Sequence, residues 1–249
     1  MHRILILLLL SFMVSFSQAQ VIVKPITFNY GNHWQSYRFP FIQSNQPLVA
    51  QKINQFLQKD LLYNKTVIID STRIFAASRY INEDTLMQSG LSEIDFTVVA
   101  NNARLLSIQF DLESIGAYAT NYNSYYNFDT QTGMLITSRS LFTPQGLKTI
   151  KHRLLVERKK RVANQFIALK EDQVSMEDSS YIRERFEECL TYTEDDENKI
   201  LIKNGFVTFY KGFCFPHIAQ PYETDLDIKI SLRELDPFLS DYGKKLLGK

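Results

Sequence analysis

The sequence has few histidines and cysteines and none of the short motifs that mark common enzyme classes. It contains no Gly-x-Ser-x-Gly elbow, no His-Glu-x-x-His and no Cys-x-x-Cys pair. Beyond residue 19 its only histidines are His33, His152 and His217, and an isolated histidine is more often structural than catalytic. The acidic run at 194–197 lacks the alternating ligands and the turn glycine of a calcium loop. We therefore expect no catalytic residue, no metal and no cofactor.

An excess of one charge is also missing, since 28 basic side chains nearly balance 27 acidic ones and the formal net charge is +1. A chain this close to neutral has no overall attraction for nucleic acid, so no nucleic-acid partner is expected. Beyond residue 19 no apolar run is long enough to cross a bilayer, which predicts no transmembrane segment in the mature chain. No low-complexity segment or Pro/Gly/Ser-rich linker is present. These absences favour an ordinary globular fold.

Residues 1–19 have the pattern of a cleavable export signal. A short basic start, Met1-His2-Arg3, precedes an apolar run at 4–16, and Ser17-Gln18-Ala19 fits a cleavage site before Gln20. The apolar run is too short to span a bilayer comfortably. The alternative is a buried N-terminal strand. We interpret 1–19 as a signal peptide, which predicts a periplasmic or secreted protein.

The chain has only two cysteines, Cys189 and Cys214. In an oxidising compartment an isolated pair favours a disulfide over a metal site. Closing a loop of about 25 residues would stabilise the fold by roughly 3.5 kcal/mol in the chain-entropy model. Two buried free thiols are the alternative to this disulfide.

Residues 94–142 alternate apolar and polar side chains in a way that predicts a four-stranded antiparallel meander. The expected strands are 94–100, 106–113, 122–128 and 134–137. The period of two in the second strand places four apolar side chains on one face: Leu106, Ile108, Phe110 and Leu112. Asp129 and Gly133 predict a tight turn before the last strand, because an Asp carboxylate accepts local amide protons and glycine tolerates positive φ.

Helices are predicted on both sides of this meander, which gives an α+β class with an antiparallel sheet covered by amphipathic helices. One helix starts at Pro47 and carries apolar residues at helical spacing. Thr143-Pro144 starts a second helix, which ends near Lys170. Asn204-Gly205 predicts a C-terminal hairpin, and a strand at 226–230 leads to a last helix capped by Ser231.

The second predicted helix has a basic outer face and is followed by an acidic stretch. The expected outward residues are Lys148, Lys151, His152, Arg153, Arg158, Lys159, Lys160 and Arg161. One interpretation is a solvated basic helix that faces an acidic helix. The other is a cationic surface for an anionic polymer or protein, with a reach limited by salt screening at about 8–10 Å.

Tyrosine and asparagine are interleaved in and just before the third predicted strand, and this cluster is the candidate binding surface. Its members are Tyr118, Asn121, Tyr122, Asn123, Tyr125 and Tyr126. Tyrosines on both faces of a strand imply that one set lies outside the core, and their rigid amphipathic rings suit recognition of protein or sugar. The alternative is a strand that another part of the same chain covers.

Several turn and core stretches together resemble a known domain. They include Leu106-Ser107-Ile108, Gly116-Ala117, Asn127-Phe128-Asp129, Thr132-Gly133-Met134-Leu135 and Leu141-Phe142, with further matches at 39–42, 53–54, 205–206, 221–222 and 230–239. This pattern resembles the extracytoplasmic domain of RsiV-type anti-sigma factors, a domain type that also accompanies some secreted peptidoglycan deacetylases. The resemblance covers an N-terminal half at 20–92 and a C-terminal half at 93–249.

The resemblance implies an α+β fold and, in the best understood members, lysozyme binding. The sequence departs from the family at Tyr118, where members often carry histidine. It also shows no sigma-binding segment, no transmembrane helix and no deacetylase domain, so an anti-sigma role is not expected here.

The leading hypothesis is a secreted or periplasmic, non-enzymatic binding domain of the bacterial cell envelope. Its ligand would be a cell-wall glycan such as peptidoglycan, or a lysozyme-like protein, bound around residues 118–126. The alternative is a hydrolase of envelope polysaccharide in which carboxylates act as acid and base. A purely structural envelope component is the third hypothesis.

Overall fold

Two β-sheets and a set of helices form the fold in the computed structural model of the protein. The structure describes residues 21–29, 36–62, 68, 73–75, 91–115, 119–171, 176–190, 195–212, 214–215, 220 and 222–248. The predicted α+β class is confirmed. The predicted signal peptide at 1–19 lies outside the described residues, as do His33 and His217. Within the described ranges no helix is long and apolar enough to cross a membrane.

The larger sheet has five strands, which lie side by side in chain order. They are β1 (Ile22–Asn29), β2 (Ser36–Gln43), β3 (Leu91–Asn101), β4 (Leu105–Ile115) and β5 (Ala119–Asp129). Neighbouring strands are antiparallel except β2 and β3, which pair in parallel through Ser36 and Tyr37. The first three strands predicted for the meander are therefore present, and each is longer than expected.

Helix α1 (Pro47–Leu61) covers one face of this sheet. Its apolar residues recur at helical spacing, so Ile53, Leu57 and Leu61 point to the strands and are buried. They belong to the same hydrophobic core as the four β4 residues predicted to face inward: Leu106, Ile108, Phe110 and Leu112. The predicted orientation of β4 is confirmed, since none of these four is more than 5% exposed.

The turn predicted after β5 is present and packs against α1. The Asp129 carboxylate accepts hydrogen bonds from the backbone amides of Gln131 (2.8 Å) and Thr132 (3.3 Å). Gly133 has a φ of 74°, which favours glycine. A Cβ atom at this position would lie 2.8 Å from the carbonyl oxygen of Val49, so the turn also needs glycine for its close approach to the helix.

The fourth strand predicted for the meander, at 134–137, is wrong. Leu135 forms a single bridge to Phe128, and helix α2 (Ser138–Leu141) begins directly after Thr137. The physical reason is a capping box, in which Thr137 and Ser140 each bond to the other's backbone amide and stop the chain from continuing as a strand.

Helices α3 (Pro144–Glu171) and α4 (Met176–Leu190) follow and enclose a small hydrophobic cluster with Phe215 and Leu226. The hydroxyl of Thr143 accepts a hydrogen bond from the Gly146 amide (3.0 Å), as expected for the predicted cap. The predicted disulfide between Cys189 and Cys214 is confirmed. It fixes the C-terminal end of α4 to the segment at 214–215.

The smaller sheet consists of β6 (Ile200–Lys203), β7 (Phe206–Phe209) and β8 (Ile228–Ser231), all antiparallel. Asn204 (φ 49°) and Gly205 (φ 78°) form the turn between β6 and β7, which confirms the predicted hairpin. Helices α3, α5 (Leu232–Leu235) and α6 (Asp241–Leu247) share a second hydrophobic core with this sheet. The Ser231 hydroxyl caps α5 by accepting from the Glu234 amide at 3.2 Å.

The basic outer face predicted for α3 is wrong at Arg158, which is only 2% exposed. Its guanidinium donates hydrogen bonds to the carbonyl oxygens of Leu226 (3.0 Å) and Phe209 (3.3 Å). Arg158 faces inward because it lies one helical turn after the buried Leu154. Other basic residues of the face form ion pairs, namely Lys151 with Glu197, Arg153 with Glu234 and Arg161 with Glu157.

Asn127 of β5 connects the two sheets. Its side chain is buried, and its Oδ1 accepts hydrogen bonds from the Ser107 hydroxyl (2.8 Å) and the Ile202 amide (3.0 Å). Its Nδ2 donates to the Ile200 carbonyl oxygen at 2.7 Å. These bonds satisfy backbone groups of β6 as a neighbouring strand would. The smaller sheet therefore lies over the Asn127 end of β5, on the face opposite α1.

Candidate functional site

The predicted tyrosine–asparagine cluster is divided between the two faces of β5, because alternate residues of a strand point to opposite sides. Tyr118 lies outside the described residues. The side of Asn127, toward the smaller sheet, carries Asn121, Asn123 and Tyr125. The side of α1 carries Tyr122 and Tyr126. Tyr122 and both asparagines are exposed, while Tyr125 is half-buried.

Tyr126 belongs to the core and not to an exposed surface, which corrects its place in the predicted set. It is 8% exposed, and its ring meets Phe56 and Phe110 edge to face at centroid distances of 5.8 and 5.5 Å. Its hydroxyl donates to the Asp60 carboxylate at 2.6 Å. The reason is that α1 covers this end of the strand, so the tyrosine on that side is enclosed.

The outward part of the cluster opens into a cleft where β5 meets the smaller sheet. The cleft has a volume of about 580 Å³. Because β5 is the edge strand of the larger sheet, residues from both of its faces, at 122–125, form one side. The other side comes from Lys199, from Tyr210 and Gly212 after β7, and from the segment before β8, at 220 and 223–227. The cleft thus combines the predicted residues with others that are distant in sequence.

Tyr125 and Tyr210 stack in this cleft with ring centroids 3.5 Å apart and planes 10° from parallel. Burial raises the pKa of the Tyr125 hydroxyl, and the neighbouring Tyr210 and Asp227 raise it further. Burial likewise raises the pKa of Tyr210. The Tyr125 hydroxyl also donates a hydrogen bond to the Tyr210 oxygen, which raises the pKa of Tyr125 and opposes the effect of burial on Tyr210.

Glu223 supplies a carboxylate to the cleft that is only partly satisfied. Burial raises its pKa, although the backbone amides of Cys214 and Phe215 donate hydrogen bonds to it and favour the ionised form. Its Oε2 atom is buried and has no hydrogen-bond partner among the described residues. An enclosed carboxylate oxygen without a donor disfavours the ionised form, in line with the raised pKa of Glu223.

Asp227 forms the end of the same wall. Burial raises its pKa, while the hydrogen bond from the Lys211 amide (2.9 Å) and the charges of Arg158 and Arg161 act in the opposite direction. Arg158 also donates a hydrogen bond to the carbonyl oxygen of Leu226, so it stabilises the wall of the cleft that contains Asp227. Across the ranges that the structure describes, no three His, Cys, Asp or Glu side chains are grouped to hold a metal ion.

Four carboxylate residues on β3 and β4 lie beside the cleft, and we call them the acidic sheet face. Glu93 lies directly opposite Glu113, and Asp95 lies directly opposite Asp111. The amide of Asn123 donates a hydrogen bond to the Asp111 carboxylate, which joins this face to the cleft. The charge of Asp111 also contributes to the raised pKa of Tyr125.

The sequence does not predict that Tyr210, Glu223 and Asp227 belong to the site. One weak signal exists for Tyr210, which follows the buried Phe209 and so falls on the polar side of the hairpin. The contact between Tyr210 and Tyr125 depends on how the sheets dock, and no local pattern specifies that arrangement.

A second cavity, of about 590 Å³, lies between β1, β2 and α1. Its described lining has no ionisable side chain, and Phe41 is the aromatic ring it contains. The amide of Asn54, one of its polar groups, is already bonded to the backbone of Ile42. The tyrosine cleft offers more groups for specific recognition and is the stronger candidate site.

Two solved structures that match this chain are DUF3298 family proteins. One, from Bacteroides fragilis NCTC 9343, is 12% identical over 92% of this chain and 96% of its own, with a TM-score of 0.55. Another, from Pseudomonas aeruginosa PAO1, is 10% identical over 90% of this chain and 94% of its own, with a TM-score of 0.47. No family model matches the sequence, and no curated protein sequence is similar to it. The likeness to the Bacteroides protein shows a shared fold.

Proposed function

We propose that this protein is an exported, non-enzymatic binding domain of the bacterial cell envelope that recognises a glycan in the cleft between β5 and the smaller sheet. The observation that supports this proposal is the stacked pair of Tyr125 and Tyr210 beside amide and carboxylate side chains. Sugar rings pack their C–H faces on aromatic rings, and their hydroxyls bond to amides and carboxylates. The cleft offers both kinds of contact.

The size of the cleft favours a sugar over a protein surface. Its volume of about 580 Å³ falls within the usual range for small-ligand sites. A stable protein interface needs a broader area, about 800 Å² on each partner. A lysozyme-like protein, which the resemblance to RsiV-type domains implies, is the partner to test against the glycan.

Export is part of the proposal, because the ligand lies in the cell envelope. The disulfide between Cys189 and Cys214 supports an oxidising location, since such bonds persist outside the cytosol. The signal-like pattern of residues 1–19 points to the same compartment.

A hydrolase of envelope polysaccharide is the second candidate, and Glu223 is the observation that favours it. Burial raises the pKa of its carboxyl, which is the direction that a general acid needs. Glycoside hydrolysis also needs a second carboxylate on the other side of the scissile bond. Release of soluble fragments from peptidoglycan by the wild type, and its loss in Glu223→Gln, would establish this candidate.

The binding proposal predicts that calorimetry detects chitin oligomers or soluble peptidoglycan fragments binding to the mature chain. Tyr210→Ala should weaken this binding about fivefold to tenfold, because a lost aromatic contact is worth about 1 to 1.4 kcal/mol. Tyr210→Phe keeps the stacked ring and should retain most of the affinity. Tyr181→Ala, on the exposed face of α4, is the matched control and should bind normally.

Circular dichroism and thermal unfolding check that each variant is folded. Binding to lysozyme without binding to any glycan would contradict the proposal. So would glycan binding that is unchanged in a folded Tyr210→Ala variant, because the ligand would then lie elsewhere.

A further inference from the structure

We propose that the outer edge of β5 binds an extended peptide segment of another protein, which adds to the larger sheet as a further strand. This inference goes beyond the proposed function and does not depend on it, because the partner is a peptide and the contacts are made by the backbone. An added strand bonds through one row of backbone groups, so it needs no broad protein interface.

The outer edge of β5 is the one that faces away from β4, and two hydrogen bonds fix its backbone direction. The Asp129 amide donates to the Met134 carbonyl oxygen (2.9 Å), and the Ile136 amide donates to the Asn127 carbonyl oxygen (2.7 Å). Residues 127 and 129 thus direct their backbone groups outward. The pairing of β5 with β4 has no register shift, so every second residue points the same way. Three more residues therefore direct their amides and carbonyl oxygens outward: Asn121, Asn123 and Tyr125.

This edge is open along most of its length. The chain itself pairs with β5 only at the end, where 134–136 runs antiparallel to 127–129. The capping box at Thr137 then directs the chain into α2 and away from the edge. Among the described residues, nothing bonds to the outward backbone groups at 121, 123 and 125. From 121 to 125 the open edge is about 13 Å long, at roughly 3.3 Å per residue.

The two edges of the larger sheet differ in their protection against strand addition. Proteins commonly protect an exposed edge with lysine, proline or a bulge. On β1, Lys24 is exposed and Pro25 lies directly opposite Pro40. Two prolines cannot exchange hydrogen bonds, so the Pro25 nitrogen faces the outer edge and interrupts its row of donors. Between 119 and 125, β5 has no lysine, no proline and no bulge, so its edge is suited to an added strand.

The cleft provides the space for this strand. Residues from both faces of β5 line it, so it runs along the edge and not over one face. The Asn123 side chain leaves the edge uncovered, because it turns back to β4 and donates to the Asp111 carboxylate. The wall at 220 and 223–227 lies across the cleft. A second copy of this protein would bring its own wall against this one, so the geometry favours a separate peptide segment over a dimer.

The side chains of β5 indicate the composition of the partner segment. An aromatic residue on one strand pairs favourably with a β-branched residue on the next. Tyr122 and Tyr125 lie on opposite faces of β5, and each would flank a residue of the added strand. The preferred segment is therefore extended and carries valine, isoleucine or threonine on both of its faces.

The test follows amide hydrogen exchange by NMR on the mature chain. The probe is a capped peptide of alternating threonine and valine, about seven residues long. In the free protein, the outward amides at 121, 123 and 125 should exchange fast, while those at 120, 122 and 124 bond to β4 and should exchange slowly. Peptide at about ten times its Kd should slow exchange at the outward amides about tenfold and leave the other three unchanged.

Two variants at one position check the role of the edge. Asn123→Pro removes an outward donor that the fold does not use and should weaken peptide binding at least about tenfold. Asn123→Thr changes the same side chain but keeps the donor, and it should bind normally. Thermal unfolding confirms that both variants are folded.

The proposal would be overturned by a folded Asn123→Pro variant that binds the peptide normally, or by outward amides that stay unprotected at millimolar peptide. It would also be overturned if the same amides became protected as the protein concentration rises without peptide, because the edge would then belong to a second copy. Glycan binding, measured separately by calorimetry, decides the proposed function and is not affected by these results.

Discussion

At the scale of single residues, Asn127 is the side chain on which the position of the cleft depends. Its side chain forms hydrogen bonds with the amide of Ile202 and the carbonyl oxygen of Ile200, both in β6. Tyr125 of the cleft lies in the same strand as Asn127, so these bonds also fix where β6 lies relative to Tyr125. A buried amide that bonds two backbone groups in another sheet acts as a clamp between the sheets.

Asn127→Ala should destabilise the protein by about 3 kcal/mol, because it leaves two buried backbone groups of β6 without partners. Urea denaturation measures this change in the free energy of unfolding. The matched control is Asn123→Ala, which removes the same side chain from an exposed position on the same face of β5. We expect a cost within about 0.5 kcal/mol there. Similar costs for the two variants would contradict the role assigned to Asn127.

The sequence alone predicts which side of the sheet a residue lies on where apolar and polar residues alternate strictly along the strand. The four apolar residues of β4 face the core because no other arrangement buries them together. In β5 both faces carry tyrosine, so the pattern cannot show which tyrosine is enclosed. Tyr126 is buried because α1 covers it, and Tyr125 remains accessible because the smaller sheet stops beside it. That distinction is a property of packing between elements.

At the scale of the elements, α3 acts as the support of the cleft. Its Arg158 reaches the backbone at Phe209 and Leu226, so it joins the end of β7 to the segment before β8. Both of these regions contribute to the cleft, through Tyr210 and through Asp227. The helix thus fixes the distance between two of the segments that line the cleft.

Arg158→Met should cost about 3 kcal/mol of stability, because two buried carbonyl oxygens lose their donor and Asp227 loses a nearby positive charge. Denaturant unfolding measures the loss. Lys159→Met is the matched control, since this neighbouring residue is exposed. Its cost should be within about 0.5 kcal/mol. A stable Arg158→Met variant would show that the buried guanidinium does not support this region.

Elements with strong local signals could be predicted from the sequence. The helix after Pro47, the cap at Thr143 and the Asn204-Gly205 hairpin depend on residues within a few positions of one another. The strand expected at 134–137 fails for an equally local reason, the capping box at Thr137 and Ser140. The buried Arg158 could not be predicted, because its partners lie about 50 to 70 residues later in the chain.

At the scale of the whole molecule, the cleft exists because two sheets with separate cores meet along β5. The sequence predicts β3, β4, β5 and the hairpin of β6 and β7, and it singles out the tyrosines of β5 that line one side of the cleft. It does not predict the carboxylate side, because the segment at 220–227 comes to β5 only through the docking of the smaller sheet. Arg158 holds that docked segment through the Leu226 carbonyl oxygen, and the amide of the disulfide-bonded Cys214 holds it through the Glu223 carboxylate.

The central claim is that this cleft is where the ligand binds, and backbone amide NMR with the glycan oligomers tests it most directly. The account predicts that the largest shift changes fall at 122–125, at 210–212 and at 223–227 when the oligomer is added. Changes concentrated around the second cavity, at Ile22, Phe41 and Pro47, would contradict it, as would a spectrum that stays unchanged at a saturating concentration of each oligomer.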